Sequence, residues 1–84
     1  MKPVLLYALS TCPWCGKAKK FFTDNNVEFD FVDYDLAGEE EQARIREEVK
    51  KSGAELSFPW VRIGDEVVSG YDPGEYSDLL GLDG

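Results

Sequence analysis

An unbroken apolar run near the N-terminus limits the possible folds more than any other feature. It covers residues 4–9, Val-Leu-Leu-Tyr-Ala-Leu, and lies between Pro3 and Ser10. A helix that crosses a bilayer needs about 20 apolar residues, and this run is far shorter. It also lacks the polar alternation of a strand with one face in water. The run therefore predicts a central strand that other elements cover on both faces.

The next segments predict a helix and a second strand. Apolar residues at i, i+4, i+7 and i+8 favour a helix that starts with Pro13 and ends at about Asn25. These residues are Trp14, Ala18, Phe21 and Phe22. From Val27 to Tyr34, aromatic and β-branched residues alternate with charged ones, which favours a strand. The two patterns together predict four core phenylalanines: Phe21, Phe22, Phe29 and Phe31.

The second half of the chain predicts two helices around a hairpin. Residues 38–52 are charged, with a thin apolar stripe and Gly53 at the end, as in an amphipathic helix. Residues 60–69 form two short strand patterns around Gly64-Asp65, and residues 73–80 form a short closing helix. The order β-α-β-α-β-β-α predicts an α/β fold, with a four-stranded mixed sheet flanked by three helices. We expect one domain over residues 1–84.

The charge of the chain excludes several classes of partner. Nine Lys and Arg against seventeen Asp and Glu give a net charge of −8, which argues against binding to nucleic acid or to a membrane. No acidic residue precedes Asp24, so the first segment is locally cationic. The chain has no histidine, which excludes imidazole catalysis and His-ligated metals. With no targeting segment and only two cysteines, a cytoplasmic location is expected.

Cys12-Pro13-Trp14-Cys15 lies where the first strand gives way to the first helix. A spacing of three on a first helical turn places both sulfurs on one face, with Cys12 at the exposed end. The helix dipole, free backbone N–H groups and a nearby Lys17 would favour the Cys12 thiolate, whereas Cys15 would be shielded. We therefore expect Cys12 to attack a disulfide and Cys15 to resolve the mixed disulfide.

Two other interpretations of the cysteine pair remain open. A zinc or iron–sulfur site needs about four ligands, so a single pair would require a dimer or an added thiol. An inert structural disulfide over this spacing would constrain almost no loop. We expect no bound metal or other cofactor, and a monomer.

The sequence resembles the glutaredoxin family of the thioredoxin superfamily. Residues 7–22, YALSTCPWCGKAKKFF, are similar to the family's strand, CPxC active site and Lys-rich helix. Residues 57–59 are similar to its small-x-Pro segment, and residues 68–73 to its segment after the last strand. The resemblance implies a thioredoxin-like fold, a cis Pro59 that faces the active site, and a dithiol oxidoreductase that reduces disulfides of proteins or small molecules. The candidate substrate-binding residues are Pro13, Trp14, Lys17, Phe58, Pro59, Gly70 and Tyr71. Trp60, next to Pro59, is a further candidate for the rim of the groove.

Two features bear on the source of electrons. Family members that bind glutathione usually have a basic residue three positions before the first active-site cysteine, where this chain has Leu9. The pattern Ser69-Gly70-Tyr71-x-Pro73 is similar to that of glutaredoxin-like redoxins, which donate electrons to ribonucleotide reductase and receive them from thioredoxin reductase. The candidate reductants are glutathione and a protein of the thioredoxin reductase type, and the two features predict that the protein reductase is the better one. The redoxin is the main alternative function.

Overall fold

The structure is a computed structural model that describes residues 2–82. Its elements follow the predicted order. They are β1 (Val4–Ala8), α1 (Pro13–Asp24), β2 (Asp30–Asp33), α2 (Glu39–Lys51), β3 (Trp60–Ile63), β4 (Glu66–Ser69) and α3 (Pro73–Leu80). A 3₁₀ turn, Tyr34–Leu36, follows β2. Among the helices within residues 2–82, none is long and apolar enough to cross a bilayer.

The four strands form one mixed sheet in the order β2-β1-β3-β4. β1 pairs parallel with β2 and antiparallel with β3, and β3 and β4 form the predicted hairpin. The parallel register aligns Ala8 with Asp33, so the carboxyl ends of β1 and β2 lie at the same edge of the sheet. The four-stranded mixed sheet with three helices confirms the predicted fold class.

The two faces of the sheet carry separate apolar clusters. Along β1, Leu6 and Ala8 pack into the cluster that contains residues of α1 and α3, and Tyr7 packs into the cluster that contains residues of α2. This alternation is the period of two that a strand imposes. The central strand is thus covered on both faces, as the apolar run predicts.

The prediction that Phe31 belongs to the core is wrong, because its side chain is 49% exposed. Phe31 is aligned with Leu6 in the parallel register and lies on the same face of the sheet as Leu6. However, β2 is an edge strand of the sheet. The Lys19 ammonium lies 4.2 Å from the centroid of the Phe31 ring at this edge. A sequence period identifies the face of a strand but does not identify its position in the sheet.

We predict that Phe22→Ala lowers the free energy of unfolding by about 3–5 kcal/mol, the cost of a large cavity in a packed core. The Phe22 ring has no exposed surface and packs against Phe29 and Tyr76, with ring centroids 5.5 and 5.1 Å away. Phe31→Ala is the matched control and is expected to cost about 1 kcal/mol or less. Urea denaturation measures both values. Equal losses would contradict the position of Phe31 outside the core.

Candidate active site

The two cysteines lie at the start of α1. Cys12 is the N-cap residue, with an extended backbone (φ −87°, ψ 116°), and its Sγ accepts a hydrogen bond from the Cys15 N–H at 3.4 Å. The Cys12 N–H donates to the Leu9 carbonyl at 3.1 Å and closes the turn before the helix. Cys12 is partly exposed, whereas Cys15 is 1% exposed, and both are free thiols. Only the Cys12 sulfur is therefore open to a disulfide in solution.

The two thiols differ in how readily they ionise. Partial burial of Cys12 opposes ionisation, but hydrogen bonds from the Cys15 side chain and from the backbone of Cys15 and Trp14 outweigh it, so the pKa of Cys12 lies below its ordinary value. Burial, together with the hydrogen bond to Cys12, raises the pKa of Cys15 to about 11. The Cys12 thiol therefore ionises more readily than the Cys15 thiol, which stays protonated at neutral pH.

Lys17 contacts the aromatic ring between the two cysteines. Its Nζ lies 4.2 Å from the centroid of the Trp14 ring, a cation–π contact, and the interactions that lower the pKa of Cys12 are hydrogen bonds at the helix start. The helical spacing of Trp14 predicted that it lies on the buried face of α1. The structure contradicts this prediction, because Trp14 is 55% exposed. It lies in the first turn of α1, at the edge of the sheet, and packs against Tyr71 with ring centroids 5.8 Å apart.

A shallow groove of about 300 Å³ lies beside the cysteine pair. Three separate segments form it: the first turn of α1, the loop before β3 and the turn after β4. The lining residues are Trp14, Phe58, Pro59, Gly70 and Tyr71. The fold thus brings together most of the predicted substrate-binding residues. Pro13 is exposed at the start of α1, and Lys17 lines an adjoining depression that shares Tyr71 with the groove.

Hydrogen bonds hold the floor of the groove. The Phe58–Pro59 peptide bond is cis, and the Pro59 carbonyl accepts a hydrogen bond from the Gly70 N–H at 2.7 Å. Gly70 has a φ of +83°, a conformation that favours glycine. The Gly70 carbonyl in turn accepts from the Tyr76 hydroxyl at 2.6 Å, so α3 supports this side of the site. Trp60 is fully buried against Tyr7, on the α2 side of the sheet, and does not line the groove.

The sequence analysis missed one pair of residues next to the site. Asp35, in the 3₁₀ turn after β2, accepts hydrogen bonds from both the backbone N–H and the hydroxyl of Ser10, two residues before Cys12. The parallel register of β1 and β2 is the signal that could have placed them together. Across residues 2–82, no group of three or more His, Cys, Asp or Glu side chains is arranged to hold a metal ion.

The chain is similar in sequence and in structure to known proteins. The glutaredoxin family model matches residues 4–68. An uncharacterized glutaredoxin-like 8.6 kDa protein in the rubredoxin operon of Clostridium pasteurianum is 29% identical over 77 residues, which cover 92% of this chain and 96% of that protein. Methanoredoxin from Methanosarcina acetivorans is 36% identical, with a TM-score of 0.87 over 95% of this chain and 85% of that chain. The glutaredoxin of Methanosarcina mazei Go1 is 40% identical, with a TM-score of 0.87 over 95% of this chain and 79% of that chain.

The family match spans the central strand, both cysteines and Pro59, whereas Gly70 and Tyr71 of the groove lie beyond its end. The similarity to the two Methanosarcina proteins covers nearly the whole chain and extends to the fold. The chain therefore belongs to the glutaredoxin family of the thioredoxin superfamily and is a glutaredoxin-like thiol oxidoreductase.

Proposed function

We propose that this protein reduces disulfides by a dithiol mechanism, in which Cys12 is the nucleophile and Cys15 resolves the mixed disulfide. The observation that carries the proposal is the contrast between the two thiols. Cys12 is accessible and has a lowered pKa, whereas Cys15 is buried and has a raised pKa. A redox dithiol needs this difference between its thiols. One sulfur must react with the substrate disulfide, and the other must remain a thiol until the mixed disulfide has formed.

The reaction transfers two electrons in two exchanges. The Cys12 thiolate attacks one substrate sulfur and forms a mixed disulfide, and the other substrate sulfur leaves as a thiolate that takes a proton from solvent. Cys15 then loses its proton and attacks the Cys12 sulfur. The Cys12–Cys15 disulfide forms, and the second substrate thiolate leaves and is protonated. The substrate gains two electrons and two protons, and the protein is left oxidised.

The charge on Cys12 also controls the order of the two exchanges. Burial and a hydrogen bond to Cys12 are the main causes of the raised pKa of Cys15, and the negative charge of the Cys12 thiolate adds to them. When the mixed disulfide forms, the Cys12 sulfur becomes neutral. Its negative charge and its role as the hydrogen-bonded thiolate are then both lost. The pKa of Cys15 therefore falls at the step in which its thiolate is needed.

The groove gives the substrate chain a place to dock. Its aromatic walls, Trp14 and Tyr71, form an exposed amphipathic surface of the kind that protein interfaces use. The proposed substrates are therefore disulfides of proteins, with small disulfides as further substrates. The reaction requires a reducing compartment, and we propose the cytoplasm as its location.

A trapping experiment tests the assignment of roles. Cys15→Ser is expected to accumulate a mixed disulfide with a disulfide-bonded peptide, because the first exchange proceeds and the second cannot. Cys12→Ser, the matched control, is expected to form no adduct and to lose turnover. Mass spectrometry of the non-reduced proteins identifies the linked cysteine. An adduct on Cys15 in the Cys12→Ser protein, with turnover retained, would reverse the roles.

We also propose that the reductant is a protein of the thioredoxin reductase type rather than glutathione. Leu9, whose carbonyl caps the turn before Cys12, supplies no cation for a glutathione carboxylate. Such a charge-assisted hydrogen bond contributes about 1.5–3 kcal/mol, which corresponds to roughly ten- to a hundredfold in affinity. The pattern Ser69-Gly70-Tyr71-x-Pro73 supports the same choice, and it favours electron donation to ribonucleotide reductase as the second candidate function.

The reductant is tested by a side-by-side assay of the oxidised protein. Turnover with NADPH and thioredoxin reductase is expected to exceed turnover with glutathione and glutathione reductase. Leu9→Lys is expected to raise the glutathione reaction by about tenfold or more, because it adds the missing cation. Leu9→Gln is the uncharged control and should give a much smaller gain. Efficient glutathione turnover by the unaltered protein, without a gain from Leu9→Lys, would overturn the proposal.

A further inference from the structure

We infer that Asp35 is a positioning residue for Cys12: its carboxylate fixes the active-site loop so that Cys12 remains at the start of α1. The inference rests on the proposed role of Cys12 as the nucleophile. Asp35 does not contact the reacting sulfur in this arrangement but acts through Ser10, two residues earlier in the loop.

The pairing of β1 with β2 places Ser10 and Asp35 next to each other. β1 and β2 are parallel, and their register aligns Ala8 with Asp33. Ser10 and Asp35 each lie two residues beyond that aligned pair, at the edge of the sheet where both strands end. The parallel pairing therefore brings the active-site loop and the 3₁₀ turn side by side, although 25 positions separate the two residues in the chain.

Two hydrogen bonds join Ser10 to the Asp35 carboxylate. The Ser10 N–H donates to Asp35 Oδ1 at 2.8 Å, and the Ser10 hydroxyl donates to Asp35 Oδ2. One carboxylate thus holds both donors of a single loop residue, which fixes its orientation as well as its position. The same hydrogen bonds hold the pKa of the Asp35 carboxyl below its ordinary value, so it is ionised at neutral pH.

The Ser10–Asp35 contact lies two residues before Cys12 in the active-site loop. From Ser10 the chain passes through Thr11 to Cys12, whose N–H closes the turn onto Leu9 and whose Sγ accepts the Cys15 N–H. A second contact, between Lys19 Nζ and Asp33 Oδ1 at 3.1 Å, joins α1 to the end of β2. The loop and the helix are thus both tied to the β2 segment. Release of the loop contact would loosen the hydrogen bonds on Cys12 Sγ and raise the pKa of Cys12.

The sign of the pKa change separates positioning from a simple charge effect. If Asp35 acted only through its charge, its removal would lower the pKa of Cys12, since a nearby anion disfavours a thiolate. Positioning predicts the opposite: the pKa of Cys12 rises in Asp35→Ala and also in Ser10→Ala, which keeps the carboxylate. Ser10→Thr retains both donors and is expected to restore the behaviour of the unaltered protein.

The experiment measures the pKa of Cys12 from the pH dependence of its alkylation, together with the rate constant for reduction of a small neutral disulfide. Asp35→Ala is expected to raise the pKa of Cys12 and to lower the rate constant, measured at a pH below that pKa, by about three- to tenfold, the equivalent of one hydrogen bond. Asp30→Ala removes an exposed carboxylate from β2, the strand that precedes the 3₁₀ turn, and is expected to change neither value.

The outcomes are distinct. A lower Cys12 pKa in Asp35→Ala, or an unchanged pKa in both Asp35→Ala and Ser10→Ala, would overturn the inference. If Asp35→Ala fails to fold, Ser10→Ala alone decides, because it removes one exposed hydroxyl and leaves the carboxylate in place. Failure of the proposed function appears separately: the unaltered protein would then not reduce the disulfide, or its Cys15 would be alkylated before Cys12.

Discussion

The hydrogen bond from the Cys15 N–H to Cys12 Sγ is the interaction on which the site depends. A helix leaves its first N–H groups without partners, and a side chain at the N-cap can accept a hydrogen bond from the third helical residue, here Cys15. This bond stabilises negative charge on Cys12 and, together with the hydrogen bond from the Cys15 side chain and the backbone bond from Trp14, lowers the pKa of Cys12. Burial is the first cause of the opposite shift, the raised pKa of Cys15.

The sheet supplies the rest of the site. β1 ends where α1 begins, and the antiparallel neighbour β3 starts after Pro59 at the same edge, since Tyr7 is aligned with Trp60. β4 then returns to that edge and ends at Ser69, opposite Trp60, which brings Gly70 next to Pro59. Strand register alone thus converts three distant segments into one groove, and α3 reinforces it through the Tyr76 hydroxyl.

The sequence predicted the parts of this account that depend on local pattern. The unbroken run in β1, the helical period of α1 and the CPWC spacing were enough for the fold order and the cysteine pair. It failed where an outcome depends on neighbours from elsewhere in the chain. Phe31 has a core-like period but lies on an edge strand, and the Lys17 ammonium makes a cation–π contact with Trp14 that the spacing did not indicate. The Ser10–Asp35 contact exists only after β1 and β2 have paired.

Site-resolved alkylation of the reduced protein as a function of pH measures the proposed difference between the two thiols. The rate at each cysteine is followed by mass spectrometry, with the urea-denatured chain as the reference for both thiols. We predict that Cys12 is modified first and that its rate rises through a pKa below the denatured reference, while Cys15 titrates above its own reference, near 11. Equal pKa values for the two thiols, or earlier modification of Cys15, would contradict this prediction.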